Sequence, residues 1–217
     1  MSVKLLKGLL AALVLLMTGA NAKAEQALIN TPVVSGSVPI KTWKTLRDER
    51  VVKQDLDYSC GAASLATIMQ EFYGQKISEE DILLRMEDDG AASFQDLSDV
   101  AWEYEYSAKG MALDFDQLKT LKIPVIAYLK HKGDDHFSVI RGFGSDGMVW
   151  LGDPSWGNRK FSTEQFKAMW QTREDAKMKG KILVVMPENT KTASIDQAFF
   201  KPPKTNHVPI DLLTIRH

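Results

Sequence analysis

The chain of 217 residues is 44% hydrophobic and carries 27 Lys+Arg against 28 Asp+Glu, a net charge of −1. That length supports one ordinary hydrophobic core. The balanced charge, with no basic stripe, excludes nucleic acid as a partner, and one cysteine with scattered histidines offers no zinc spacing, so neither cofactor nor metal is expected.

The first 24 residues read as an export signal. Lys4 and Lys7 give a basic start, Leu9 to Met17 an apolar run, and Ala20-Asn21-Ala22 or Ala22-Lys23-Ala24 a small-x-small cleavage pattern. The run is shorter than the roughly 20 residues a membrane-spanning helix needs. Cleavage rather than anchoring is therefore expected, with a periplasmic or secreted product, no stable membrane insertion and three fewer lysines. Residues 25–49 form an N-terminal extension with one strand expected around Pro32 to Val38.

Helical periodicity begins at Cys60 and runs through Leu65, Ala66, Met69 and Phe72 to a stop at Gly74. Ser78 and Ser93, each followed by an acidic residue three positions on, open two further helices, and a shorter one is expected over 116–121. The period then changes. Segments 123–129, 136–143 and 148–151 read as strands, with turn residues at 132–135 and 144–147. Ser162 caps another short helix, 181–186 is a last strand, and 188–217 is a tail without periodicity. Helices first and an antiparallel sheet second is an α+β order.

Four residues carry a chemical argument. Cys60 stands where its helix begins, so the positive end of the helix dipole favours the thiolate, the form that attacks carbonyls. A lone thiol in an oxidising compartment needs a reason, and nucleophilic catalysis supplies one. Gln54, six positions upstream, brings a side-chain amide to the same reacting carbonyl as an oxyanion donor. A thiol nucleophile needs a base, and the base a group that orients it. His131 falls in a charged turn and His207 and His217 in the tail, whereas His136 begins a strand, a rigid mount for a catalytic imidazole. Asp153 follows the next strand in Leu151-Gly152-Asp153-Pro154, where a tight turn between strands brings it beside His136; Asn158 is the next choice. Asp134, Asp135 and Asp146 read as turn formers.

The set Gln54-x5-Cys60-Gly61-Ala62-Ala63, His136-Phe137-Ser138-Val139-Ile140 and Asp153-Pro154 resembles the papain-like bacteriocin-processing cysteine peptidases that cut leader peptides after a double glycine. The resemblance implies a papain-like fold over residues 50–187, with N-terminal helices packed on an antiparallel sheet. It implies Cys60 as nucleophile, His136 as general base and acid, Asp153 as orienter, and Gln54 with the Cys60 N–H as oxyanion hole. A peptide or protein is the implied substrate, and association with an export or surface-fibre system is a further expectation. Ser59 and Ser64 stand where that family often has Asp and a second Cys. Two other readings share these residues: a thiol acyl transferase or amidase, and a non-catalytic periplasmic peptide-binding or chaperone module.

Overall fold

A computed structural model describes residues 26–86, 90–131, 133–175, 177–189 and 195–201, together with the backbone of 213–215. The expected signal, His207 and His217 lie outside the described residues. The chain divides into two units, one of residues 1–42 and 205–217, the other of 43–204.

In the first unit β1 (Gln26–Asn30) and β2 (Val34–Pro39) form an antiparallel hairpin, and β9 (Leu213–Ile215) pairs with β2. The hairpin turn is closed by Thr31, whose N–H donates to Val34 O at 2.8 Å while its Oγ1 accepts from Val34 N at 2.9 Å.

The second unit holds α1 (Trp43–Asp48), α2 (Cys60–Thr67), α3 (Glu79–Leu83), α4 (Phe94–Glu103), β3 (Tyr106–Leu113), α5 (Phe115–Thr120), β4 (Val125–His131), β5 (Asp134–Phe143), β6 (Met148–Asp153), β7 (Gly157–Ser162), α6 (Thr163–Trp170) and β8 (Gly180–Pro187). The six strands make one antiparallel sheet in the order β3-β8-β4-β5-β6-β7. Strand alternation sends every second side chain to each face, and both faces are covered. Ile126, Phe137, Val139, Leu183 and Val185 pack with α2, α3 and α4, whereas Ala127, Leu129, Ile140, Leu151 and Ile182 pack with Phe115 of α5 and with Phe166 and Trp170 of α6.

α2 is buried along its whole length, which suits its Ala-rich, almost uncharged sequence. Gly61 is what lets it approach the sheet: a Cβ there would lie 2.9 Å from Ala92 Cβ and 3.2 Å from the Phe137 ring. α2 runs on into a π turn at Ile68–Phe72, and Gly74, at φ 67°, closes it. One strand departs from the sequence expectation of helices followed by sheet. β3 interrupts the helices, and its Tyr-Ser-Ala-Lys-Gly-Met-Ala-Leu sequence lacks alternation because it is an edge strand paired with β8 alone.

Part of the tail is packed. Phe199, in the 3₁₀ turn Gln197–Phe200, is fully buried, with the Arg141 guanidinium 4.6 Å and the Arg50 guanidinium 5.3 Å from its ring centre. Arg141 donates through Nη2 to Phe199 O at 2.8 Å, and Arg50 pairs with Asp196 at 2.7 Å. Phe199→Ala empties this socket and is expected to lower unfolding free energy by about 3–5 kcal/mol. Equilibrium denaturation measures it, and a loss below 1 kcal/mol would mean the turn is not an integral part of the core.

Candidate active site

The site lies at the strand ends where the two cores meet. Cys60 is the first residue of α2, and its burial belongs to the face covered by α2, α3 and α4. His136 lies opposite Leu129 on β5, and Asp153 ends β6 two residues beyond Leu151, so both project from the other face. His136 Nε2 is 3.0 Å from Asp153 Oδ2, and Cys60 lies near enough to the same ring to favour its charged form. With Nε2 held by the carboxylate, Nδ1 is the nitrogen left to serve the thiol. Cys60, His136 and Asp153 are thus brought together.

Asp153 is held in place at both oxygens. Oδ2 accepts from Ser138 Oγ at 2.8 Å besides His136, and Oδ1 accepts the N–H groups of Ser155 (2.9 Å) and Trp156 (2.8 Å). Gly157 makes that turn with φ 78°, and any Cβ there would strike Arg47 O at 2.6 Å. Burial pushes the Asp153 carboxyl up, but His136, the Trp156 N–H and Ser138 hold it below the ordinary carboxylate value. Burial likewise pulls His136 down; the hydrogen bonds and charges of Asp153 and Cys60 outweigh it and carry the imidazolium up to about 9. The His136 side chain keeps 19% of its surface exposed against 7% for Asp153, so substrate can reach the ring while the carboxylate stays shielded.

The start of α2 differs from its neighbours. α3, α4, α5 and α6 each open with a capping box, whereas Ser59 turns its hydroxyl back to Leu56 O at 2.8 Å and caps nothing. The first N–H groups of α2, that of Cys60 among them, therefore have no side-chain acceptor from Ser59 and no intrahelical one. Gln54 sits beside this end, but its amide is engaged. Nε2 donates to Leu56 O at 2.8 Å and Asp57 O at 3.3 Å, while Oε1 accepts from Ser155 Oγ at 2.6 Å. Its N–H donates to Pro154 O at 3.2 Å, tying the loop before Cys60 to the loop after Asp153.

Asn158 is not at His136; it donates to Glu49 O at 2.7 Å and accepts from Arg141. Next to His136 and Asp153 a cavity of about 380 Å³ opens, bordered by Asp57, His131, Trp156 and Arg159. Ser138 was legible as a neighbour of His136, since residues two apart on a strand share a face. The Ser155 and Trp156 N–H groups carried no side-chain signal at all.

The Peptidase C39 family model matches residues 48–174. The chain belongs to the peptidase C39 family. It is 32% identical over 169 residues to the probable functional amyloid protease FapD of Pseudomonas fluorescens, covering 73% of this chain and 74% of that relative. Against FapD of Pseudomonas aeruginosa the identity is 28% over 158 residues, covering 67% and 70%. Among solved structures, a double glycine motif protease from an AMS/PCAT transporter, in complex with its leader peptide, aligns with a TM-score of 0.54 at 24% identity, covering 63% of this chain and 90% of that one. The peptidase domain of Streptococcus ComA also aligns at 0.54, with 21% identity and coverage of 63% and 97%. These two likenesses show the fold: a papain-like arrangement of helices on an antiparallel sheet. As a C39 member the protein is a cysteine peptidase, a hydrolase, and the reading as a mere binding module gives way to it.

Proposed function

We propose that this C39 peptidase is exported and hydrolyses peptide bonds in a precursor or leader peptide, with Cys60 as nucleophile, His136 as base and acid, and Asp153 as orienter. The supporting observation is the imidazole held by Asp153 at 3.0 Å and under the influence of a thiol at a helix start. Cys60 Sγ attacks the carbonyl carbon. His136 delivers its proton to the leaving amine, then takes one from the water that opens the thioester, and the thiol is restored.

The Cys60 N–H is one oxyanion donor and Gln54 Nε2 the other. The longer of its two bonds, at 3.3 Å to Asp57 O, is the one exchanged for substrate. Gln54→Ala is then expected to lower kcat by about 10²–10³-fold with KM little changed, because the bond matters chiefly in the transition state. Steady-state kinetics on a peptide substrate test this. A near-normal kcat would remove Gln54 from the oxyanion hole.

The pattern of the first 24 residues supports export, and among the described residues no helix is long and apolar enough to cross a membrane. Relatives named as functional amyloid proteases support association with a surface-fibre system. Cleavage sites read by mass spectrometry, from a peptide library incubated with the mature chain, decide whether a double glycine is required.

A further inference from the structure

Glu79 is buried, which is unusual for a glutamate. It opens α3 with 6% of its surface exposed, three residues before the fully buried Ile82, whereas Glu80 beside it is exposed. Capping does not account for its burial. The start of α3 is served by Ser78 and Asp81, whose reciprocal bonds, Asp81 N–H to Ser78 Oγ at 3.1 Å and Ser78 N–H to Asp81 Oδ2 at 2.8 Å, complete the capping box without Glu79. A carboxylate taken out of water is costly unless it is hydrogen-bonded, so the donor it meets indicates what it is there to hold.

That donor is the backbone N–H of Asp55, which lies between the two Glu79 oxygens at 3.2 and 3.1 Å. Asp55 directly follows Gln54, and the Gln54 N–H is itself bound, donating to Pro154 O at 3.2 Å. Two successive N–H groups are thus held by different elements, one by α3 and one by the loop after Asp153. Farther on the loop is closed by its own bonds, Leu56 N–H to Ser59 Oγ at 3.2 Å and Ser59 Oγ to Leu56 O at 2.8 Å. The Glu79 bond is the one that ties this loop to α3.

We infer that Glu79 is a positioning residue for the reaction: its buried carboxylate anchors the Asp55 N–H to α3 and so holds the backbone from which the Gln54 amide reaches the oxyanion. The inference rests on Gln54 being the second oxyanion donor. A donor aimed at charge that develops only in the transition state works because it is already in place, and a displacement of about 1 Å can cost about 10²-fold in rate. Glu79 touches no reacting atom. Its effect passes through Gln54, so its removal should cost no more than removal of the amide itself.

The test is a double-mutant cycle in the full chain, read by steady-state kinetics on a peptide substrate. Glu79→Met keeps the length of the side chain but removes the acceptor; it should lower kcat about 10–100-fold with KM changed less than about twofold, and Glu79→Gln, whose carbonyl oxygen still accepts the Asp55 N–H, should restore most of the rate. In a chain already carrying Gln54→Ala, adding Glu79→Met should lower kcat by less than about twofold more, because the donor it positions is gone. Chemical denaturation checks the fold of each variant. Should the methionine variant not fold, Glu79→Asp, which retracts the carboxylate from the Asp55 N–H, carries the same expectations. A loss as large in the Gln54→Ala chain as in the unsubstituted one, or a Glu79→Gln variant as slow as Glu79→Met, would show that Glu79 is structural only and overturn the inference while Gln54 keeps its role. A near-normal kcat for Gln54→Ala alone overturns the oxyanion reading, and the inference with it.

Discussion

Replacing Cys60 by alanine is expected to reduce peptide hydrolysis by about 10⁴-fold or more while leaving the fold and substrate binding in place. The reason is chemical. Every covalent step of the cycle uses that sulfur, and the chain contains no second cysteine to substitute for it. Alanine keeps the Cβ and is a good helix former, so α2 should be undisturbed. Product formation followed by mass spectrometry, beside calorimetric titration of the same peptide, separates chemistry from binding. In the unsubstituted protein, iodoacetamide should label one site and abolish turnover in proportion. Hydrolysis surviving in the alanine variant would exclude the thioester route.

Asp153→Asn is expected to lower kcat by about 10⁴-fold, through a rearrangement that the surrounding bonds dictate. Oδ1 of Asp153 is fixed by two backbone donors, the N–H groups of Ser155 and Trp156, so an asparagine must keep its oxygen there. Its NH₂ then takes the place of Oδ2 and faces His136 Nε2, which can only accept. The proton moves to Nδ1, the nitrogen needed as base toward Cys60, and the ring is left in the wrong tautomer. The pH dependence changes as well. In the unsubstituted protein His136 is raised to about 9, so the imidazolium, and any stability it confers, is fully present below its unfolded value of about 6.5 and is lost as pH rises through about 9. Without the carboxylate charge the basic limb of kcat/KM should fall back toward that lower value. A rate within tenfold of the original, with an unmoved basic limb, would show that some other acceptor orients His136.

The helices and central strands were legible because each carried its own period and its own stop. α3, α4 and α6 open at the Ser residues whose capping chemistry announced them, and α2 closes at Gly74 as its pattern required. The strands β3 and β7 and the short helix α1 were not. β3 and β7 are the two edges of the sheet, where one neighbour suffices and Lys, Gly and Asn are tolerated, so period-2 patterning fades. β5 starts two residues before the expected strand, since Asp134 and Asp135 look like turn formers but pair with His131 and Lys130. At the site, the tight connection between two strands brought His136 and Asp153 within reach of each other, and Gln54 and Cys60 joined them through the family resemblance. What no spacing could convey was the engaged state of the Gln54 amide or the backbone donors at Asp153. Each of those depends on which loops touch, and loop contacts leave no period behind.

The position of β8 bears on when the sheet becomes complete. It is the last of the six strands in sequence, yet it lies between β3 and β4, so neither pairing can form until Gly180–Pro187 is available. Phe199 closes the same core still later. Contacts between such distant parts of the chain are slow to form and come late in folding. The thiol, imidazole and carboxylate are all synthesised before β8, and the β4-β5-β6-β7 run that carries His136 and Asp153 pairs sequence neighbours. What waits for Gly180–Pro187 is the attachment of β3, and with it the completed six-stranded sheet.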